Sequence, residues 1–336
     1  MDILKTLKEL SDSTYIGHHK DALKIAEQML GDFSKQEMPD GSAAYYLDSG
    51  SDKTIILEAH IDEIGFVVTE VFDSGFLRVA AVGGLDVRTL PSHRVLVHGK
   101  EEVVAVFTSI PPHLSKGETV FDDIDKLYLD TGLGAKAKEL VSVGDFATYN
   151  TKAQELKGGY LTGKALDNRA GVTALLLVFE MLKGKDLPFN VVFLLCANEE
   201  LGKRGAVTAA FGVDASEAIC VDVSFGNIPG LLPSDCGQLG DGPMIGVSPV
   251  LDCEIGYKLS DLACNNNIPA QSEIMAGNTS TDADVISISR GGIKTGLLSI
   301  PLRNMHTDCE MVCISDIEAT ARLIYEYIVS GGAFCD

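Results

Sequence analysis

The sequence predicts an α/β fold with a small β-rich module inserted into it. Three observations carry this: apolar strands alternate with amphipathic helices after about residue 160, a similar apolar strand precedes residue 70, and the intervening pattern is short strands broken by Gly and Pro.

In chain order, ILKTLKELSD and HHKDALKIAEQML space apolar residues as helices do. KTIILEAHIDEIGFVVTEV follows as two apolar strands separated by a polar loop. From about Phe72 to Gly159 the segments FLRVAAVGG, HRVLVHG, EEVVAVFTSIPPH and DFATYN suit a small β module. Then come the helix NRAGVTALLLVFEMLKGK, the strands NVVFLLCA, EAICVDV and KTGLLSIPL, and the helix SDIEATARLIYEYIV. The predicted boundaries are a catalytic α/β domain over 1–70 and 160–336, with a β-rich dimerisation domain over 71–159. The pattern shows no internal repeat and no low-complexity segment.

With 336 residues, 46% of them hydrophobic, the chain can bury a large core and one smaller satellite. It contains no run of about 18 apolar residues, and its opening reads as amphipathic helix and not as a signal peptide, so a soluble cytoplasmic protein is expected. Eight cysteines (Cys196, Cys220, Cys236, Cys253, Cys264, Cys309, Cys313, Cys335) form no CxxC pair and read as reduced, mostly buried thiols. A formal charge of −21 argues against nucleic acid or an anionic membrane as partner and favours cations, including metals and peptide amines.

In VVFLLCANEELGKRGA a core strand ends in two adjacent carboxylates, Glu199 and Glu200. An arbitrary acid pair is usually a solvated loop, but in open α/β sheets ligands bind beyond the carboxyl ends of the strands. Other strand ends deliver similar groups: TIILEAH gives His60 with Asp62 close behind, GKALDNR gives Asp167, AICVDV gives Asp222, and GLLSIPLRNMH gives His306. A lone histidine there is more often structural, and a lone Asp before a helix is most often a cap. Together they form a donor set of imidazoles and carboxylates suited to Zn, Co or Mn, and acids this dense need cations to offset their repulsion. The reading is two divalent ions with a hydroxide between them. Neighbouring side chains in a loop point different ways, so one acid of the pair ligates and the other handles protons.

The motifs AHIDEIGF, KALDNRAG, EELGKRGA, VDV, TDADV and IPLRNMH, in this order, resemble the tetrahedral (TET) aminopeptidases. These belong to the glutamyl aminopeptidase and endoglucanase-like family of dinuclear metallopeptidases, peptidase family forty-two of clan MH. The resemblance spans essentially the whole chain, and SIPPHL resembles that family's inserted β domain. It implies a mixed-sheet, zinc-exopeptidase-like domain with helices on both faces and an inserted β-barrel-like domain. It implies that Asp167 bridges two metals, that His60 and Asp222 complete one site, and that Glu200 and His306 complete the other. Glu199 becomes the general base, and Asp62 orients His60. The implied activity is removal of N-terminal residues from peptides through a metal-bridging hydroxide. The implied assembly is dimers joined through the β insert into a hollow dodecamer. The sequence departs from that family at Asn168, where many relatives have a second Asp, and in MHTDCE, where Asp308 is expected to place an acid near the substrate; Cys196 lies just before the paired acids.

Rival signals are weaker. The GxGxxA at Gly132 and Gly134 lacks a flanking βαβ unit and reads as turn residues. DDIDKLYLD, from Asp122, lacks the glycine and the distal Glu of a calcium loop. No G-x-S-x-G elbow supports serine hydrolysis, and His93, His98 and His113 read as structural. The alternatives kept open are a dinuclear deacylase or glycan hydrolase on the same site, and a non-catalytic assembly protein.

Overall fold

The computed structural model describes residues 1–31, 34–115 and 123–333; Asp122 and Cys335, named above, lie outside them. The centre is four parallel strands in the order Lys294–Arg303, Glu217–Phe225, Thr54–His60, Asn190–Cys196. Antiparallel strands extend both sides, Ala43–Leu47 beyond Asn190–Cys196 and Glu310–Cys313 beyond Lys294–Arg303, so the sheet is mixed.

The central strands are continuous runs such as IILEAH and VVFLLC because both faces are covered. On one face Leu57, Ile219 and Phe193 pack with Leu175 and Phe179 of the helix Leu166–Leu182 and with Ile324 of the helix Ile314–Val329. On the other, Ile56, Leu194 and Cys220 meet Ala206 and Ala210 of the helix Arg204–Gly212. Leu166–Leu182 is apolar almost all round and is buried along its length, as a helix between a sheet and other helices must be.

The strand Thr54–His60 sits between two strands that follow it in sequence, one on each side. The chain therefore reverses its winding there, and the crevice past His60 is the switch point where such sheets bind ligands.

The inserted module is a closed barrel of six strands running from Gly65–Val71 to Phe146–Tyr149, filled by Phe66, Val79, Val97, Phe107 and Leu129. Its first strand, Gly65–Val71, begins before residue 71, the boundary expected from the sequence. That strand continues the apolar run of the sheet strand before it, so composition does not mark the crossing. Gly132 and Gly134 have φ of 66° and 54° and serve as turns; an added Cβ on Gly75 would meet the Gly134 backbone at 2.6 Å.

Among the described residues no helix is long and apolar enough to cross a membrane. The seven described cysteines are free thiols, as expected, but the expectation that they are mostly buried needs correcting. Cys196, Cys220 and Cys313 are buried, while Cys253, Cys264 and Cys309 are exposed because they fall on the outer side of a surface helix or in the loop after His306.

Candidate metal centre

Each residue singled out at a strand end reaches the crevice at the switch point. His60 closes its strand and Asp222 lies within the next one. Asp167 comes from the start of Leu166–Leu182, where Asp167 and Asn168 are not helical and the peptide between them is cis. Asn168 caps this helix: its Oδ1 accepts the Gly171 N–H at 3.0 Å, and its Nδ2 donates to Val221 O at 2.7 Å. A Cβ on Gly171 would stand 2.3 Å from that Oδ1, which explains the glycine in DNRAG. Capping thus falls to Asn168, and the Asp167 carboxylate is left for the crevice.

There Asp167 Oδ1 lies 3.0 Å from His60 Nε2, and its Oδ2 lies 3.3 Å from His306 Nε2. Asp222 Oδ1 is 3.6 Å from His60 Nε2, and Glu200 Oε1 is 3.3 Å from His306 Nε2. Two groups of donor atoms result, His60, Asp167, Asp222 and Asp167, Glu200, His306, each within 4.8 Å, and Asp167 belongs to both. Glu199 stands beside them, half-buried.

Supporting acids hold the loops in place. The Asp62 carboxylate accepts the N–H groups of Glu199 (3.1 Å) and Glu200 (3.3 Å) and stands 3.5 Å from His60 Nδ1. Glu310, which sequence reasoning missed, accepts the N–H of Asp167 at 3.1 Å and of His306 at 2.8 Å. Its signal was the E of MHTDCE, an acid opening an otherwise apolar strand, EMVC. The loops need such support because Ala165, Asn198 and His306 have φ of 54°, 58° and 62°, left-handed conformations that cost on the order of 1 kcal/mol or more in a residue with a side chain.

Two placements differ from expectation or refine it. Asp308 is buried, accepts from Thr151 Oγ1 at 2.8 Å and lies 3.2 Å from His93 Nε2. His93 does structural work there, and His98 does so by bonding Thr148 Oγ1 at 3.0 Å. The barrel loop at Gly83 and Gly84 leans over the centre. A Cβ on Gly83 would lie 3.2 Å from Glu200 Oε2, and one on Gly84 would lie 3.1 Å from His306 Nδ1.

The electrostatics are those of anions short of cations. Burial works against protonating His60, yet Asp167, Asp222 and Asp62 raise its pKa well above the usual value. Burial likewise opposes protonation of His306, but Asp167 and Glu200 push it up to about 11. Burial, with Asp167 close by, raises Glu200 and Asp222. Burial raises Glu199 to about 8, with Asp222, Glu200 and Asp167 adding to it. Imidazole nitrogens and carboxylate oxygens are the donors of Zn, Co and Mn, so the residues fit divalent ions, which would relieve this crowding.

A mixed sheet with an inserted barrel, and at its switch point an acid–imidazole centre whose donors could hold metal, defines a hydrolase-like chain. The chain belongs to the M42 glutamyl aminopeptidase family, whose sequence pattern matches residues 41–323. It is 30% identical to the lysyl aminopeptidase of Pyrococcus furiosus over 284 residues, 82% of this chain and 81% of that one. Its fold is similar to that of an aminopeptidase from the archaeon Desulfurococcus kamchatkensis, with a TM-score of 0.91 at 28% identity over 98% and 94% of the two chains. It is also similar to the TET1 peptidase of Pyrococcus horikoshii, described as assembling into a tetrahedron or a large octahedral shell, with a TM-score of 0.85 at 28% identity over 97% and 99%.

Proposed function

We propose that the protein is a metal-dependent aminopeptidase that removes N-terminal residues from peptides, with Asp167, His60, Asp222, Glu200 and His306 as ligands of two divalent ions. The observation that carries this reading is Asp167, whose two oxygens face two separate acid–imidazole groups. The family membership and the aminopeptidase names of its relatives support the reaction. When bound, Zn, Co or Mn ions supply Lewis acidity, toward the scissile carbonyl and toward a water whose proton becomes easy to remove.

The chain's own residues do the rest. Glu199 takes that proton and later gives it to the leaving nitrogen, a role that suits a carboxylate whose pKa burial has lifted toward neutrality. Asp62 fixes Glu199 and Glu200 through their backbone N–H groups and faces the second nitrogen of His60, so that base and ligands are positioned together.

The barrel is proposed as the dimerisation module, bounded at 71–159 in the sequence reading and by strands from Gly65 to Tyr149 in the structure. Val104 and Val106 on its outer side are exposed, in keeping with a contact surface. By analogy with the solved TET1 dodecamer, the reading includes homo-oligomers up to a dodecamer, and it keeps the cytoplasmic location expected from the sequence.

A panel of aminoacyl chromogenic substrates, assayed with and without added Co or Zn, tests the function. Metal-dependent release from free N-termini supports it, whereas activity only on N-acylated or glycan substrates would replace it with one of the alternatives.

A further inference from the structure

On the sheet face covered by the helix Arg204–Gly212, next to the catalytic crevice, lies another cluster. Glu58 stands two residues before His60 and so points to the same side of the sheet. In register, Cys220 is paired with Glu58 and Cys196 with His60. Asp282, from the TDADV motif, comes down on this face just ahead of the helix Ala283–Ile286. One donor atom from each of Glu58, Cys196 and Asp282 lies within 4.8 Å of the others.

We infer that Glu58, Cys196 and Asp282 form a buried structural metal site for a divalent ion of the zinc type. Glu58 and Asp282 are each only 1% exposed and Cys196 is 0% exposed. Neither Asp282 oxygen has a hydrogen-bond partner, nor does Glu58 Oε1. Two carboxylates cannot be buried against each other with nothing between them; either a proton or a cation must join them. A shared proton would satisfy one oxygen from each acid and leave the second Asp282 oxygen unmatched. A zinc-type ion takes one donor from each side chain, and mixed thiolate and carboxylate donors suit it. It would tie the strands that end at His60 and Cys196 to the Asp282 segment, stiffening the floor on which His60 stands.

Sulfur makes the site testable apart from the catalytic pair, none of whose proposed ligands is a thiol. The protein would be expressed in cobalt-supplemented medium, so that a buried site fills during folding, and its absorption and metal content measured. The expected result is a near-ultraviolet thiolate-to-cobalt charge-transfer band and one ion more per chain than in Cys196→Ser. The band should vanish in Cys196→Ser and weaken in Asp282→Asn, and should persist in Asp167→Ala even as that variant loses its other metal. A cobalt-loaded wild type without the band would show that the acids share a proton and would overturn the site. A band that survives both Cys196→Ser and Asp282→Asn would overturn it equally. If Asp167→Ala also loses nothing, the catalytic reading fails while the thiolate site stands.

Discussion

Glu310 bonds His306 through the backbone, not the ring: one carboxylate oxygen accepts the His306 N–H at 2.8 Å while the other accepts that of Asp167. One buried acid thus sets the separation of a residue from each end of the crevice.

Glu310→Gln keeps the size but turns an NH₂ toward one of those N–H donors. Metal affinity and turnover should both fall, by roughly ten- to a hundredfold, with the fold retained. Metal content and kcat of the purified variant check this; a variant with full metal and full turnover would deny Glu310 a positioning role.

Gly84 is exposed, and its φ lies outside the left-handed range, so a side chain there should not disturb folding. Its Cβ, however, would meet His306 Nδ1 at 3.1 Å. Gly84→Val should therefore displace His306 and lower turnover on the order of a hundredfold with little change in melting temperature. Unchanged turnover would mean that the barrel loop is too far or too compliant to touch the centre.

The metal-free protein should lose stability as pH rises. His306 is raised from 6.5 to about 11, so its contribution is complete below 6.5 and is lost on the way to 11. Glu199 is raised from 4.5 to about 8, which favours its neutral form in the fold, so stability present below 4.5 is lost as pH climbs through 8. The depressed pKa of Asp167 acts only below its ordinary 3.8, outside this range. Thermal midpoints of the chelated protein should fall from about pH 5.5 to about pH 8.5, and added Zn or Co should raise them more at the higher pH. A metal effect that shrinks with pH would contradict the picture of uncompensated acids.

Much of this centre was legible because candidate site residues at strand ends follow from where apolar runs stop: His60, Glu199 and Glu200 are each read off the end of such a run. Asp167 was legible as an acid ahead of a helix, but only the structure separates it from the cap, which is Asn168. Glu310 was hidden because it acts on backbone N–H groups, and nothing in its own segment encodes which loops it will meet. The partners of Asp308 were hidden because sequence gives its distance along the chain from His306, not the turn that brings it to His93 and Thr151. The barrel's first strand was hidden for a similar reason: Gly65–Val71 is as apolar as the sheet strand before it.

The central claim is that Glu199 moves protons while Glu200 holds metal, and turnover with metal content across a Zn or Co titration of Glu199→Gln and Glu200→Gln tests it most directly. Glu199→Gln should bind metal normally yet turn over roughly a hundredfold or more slowly at every concentration. Glu200→Gln should be metal-poor and regain part of its activity as metal is added. Recovery of Glu199→Gln with metal, or loss of turnover in Glu200→Gln with its full complement bound, would contradict the account.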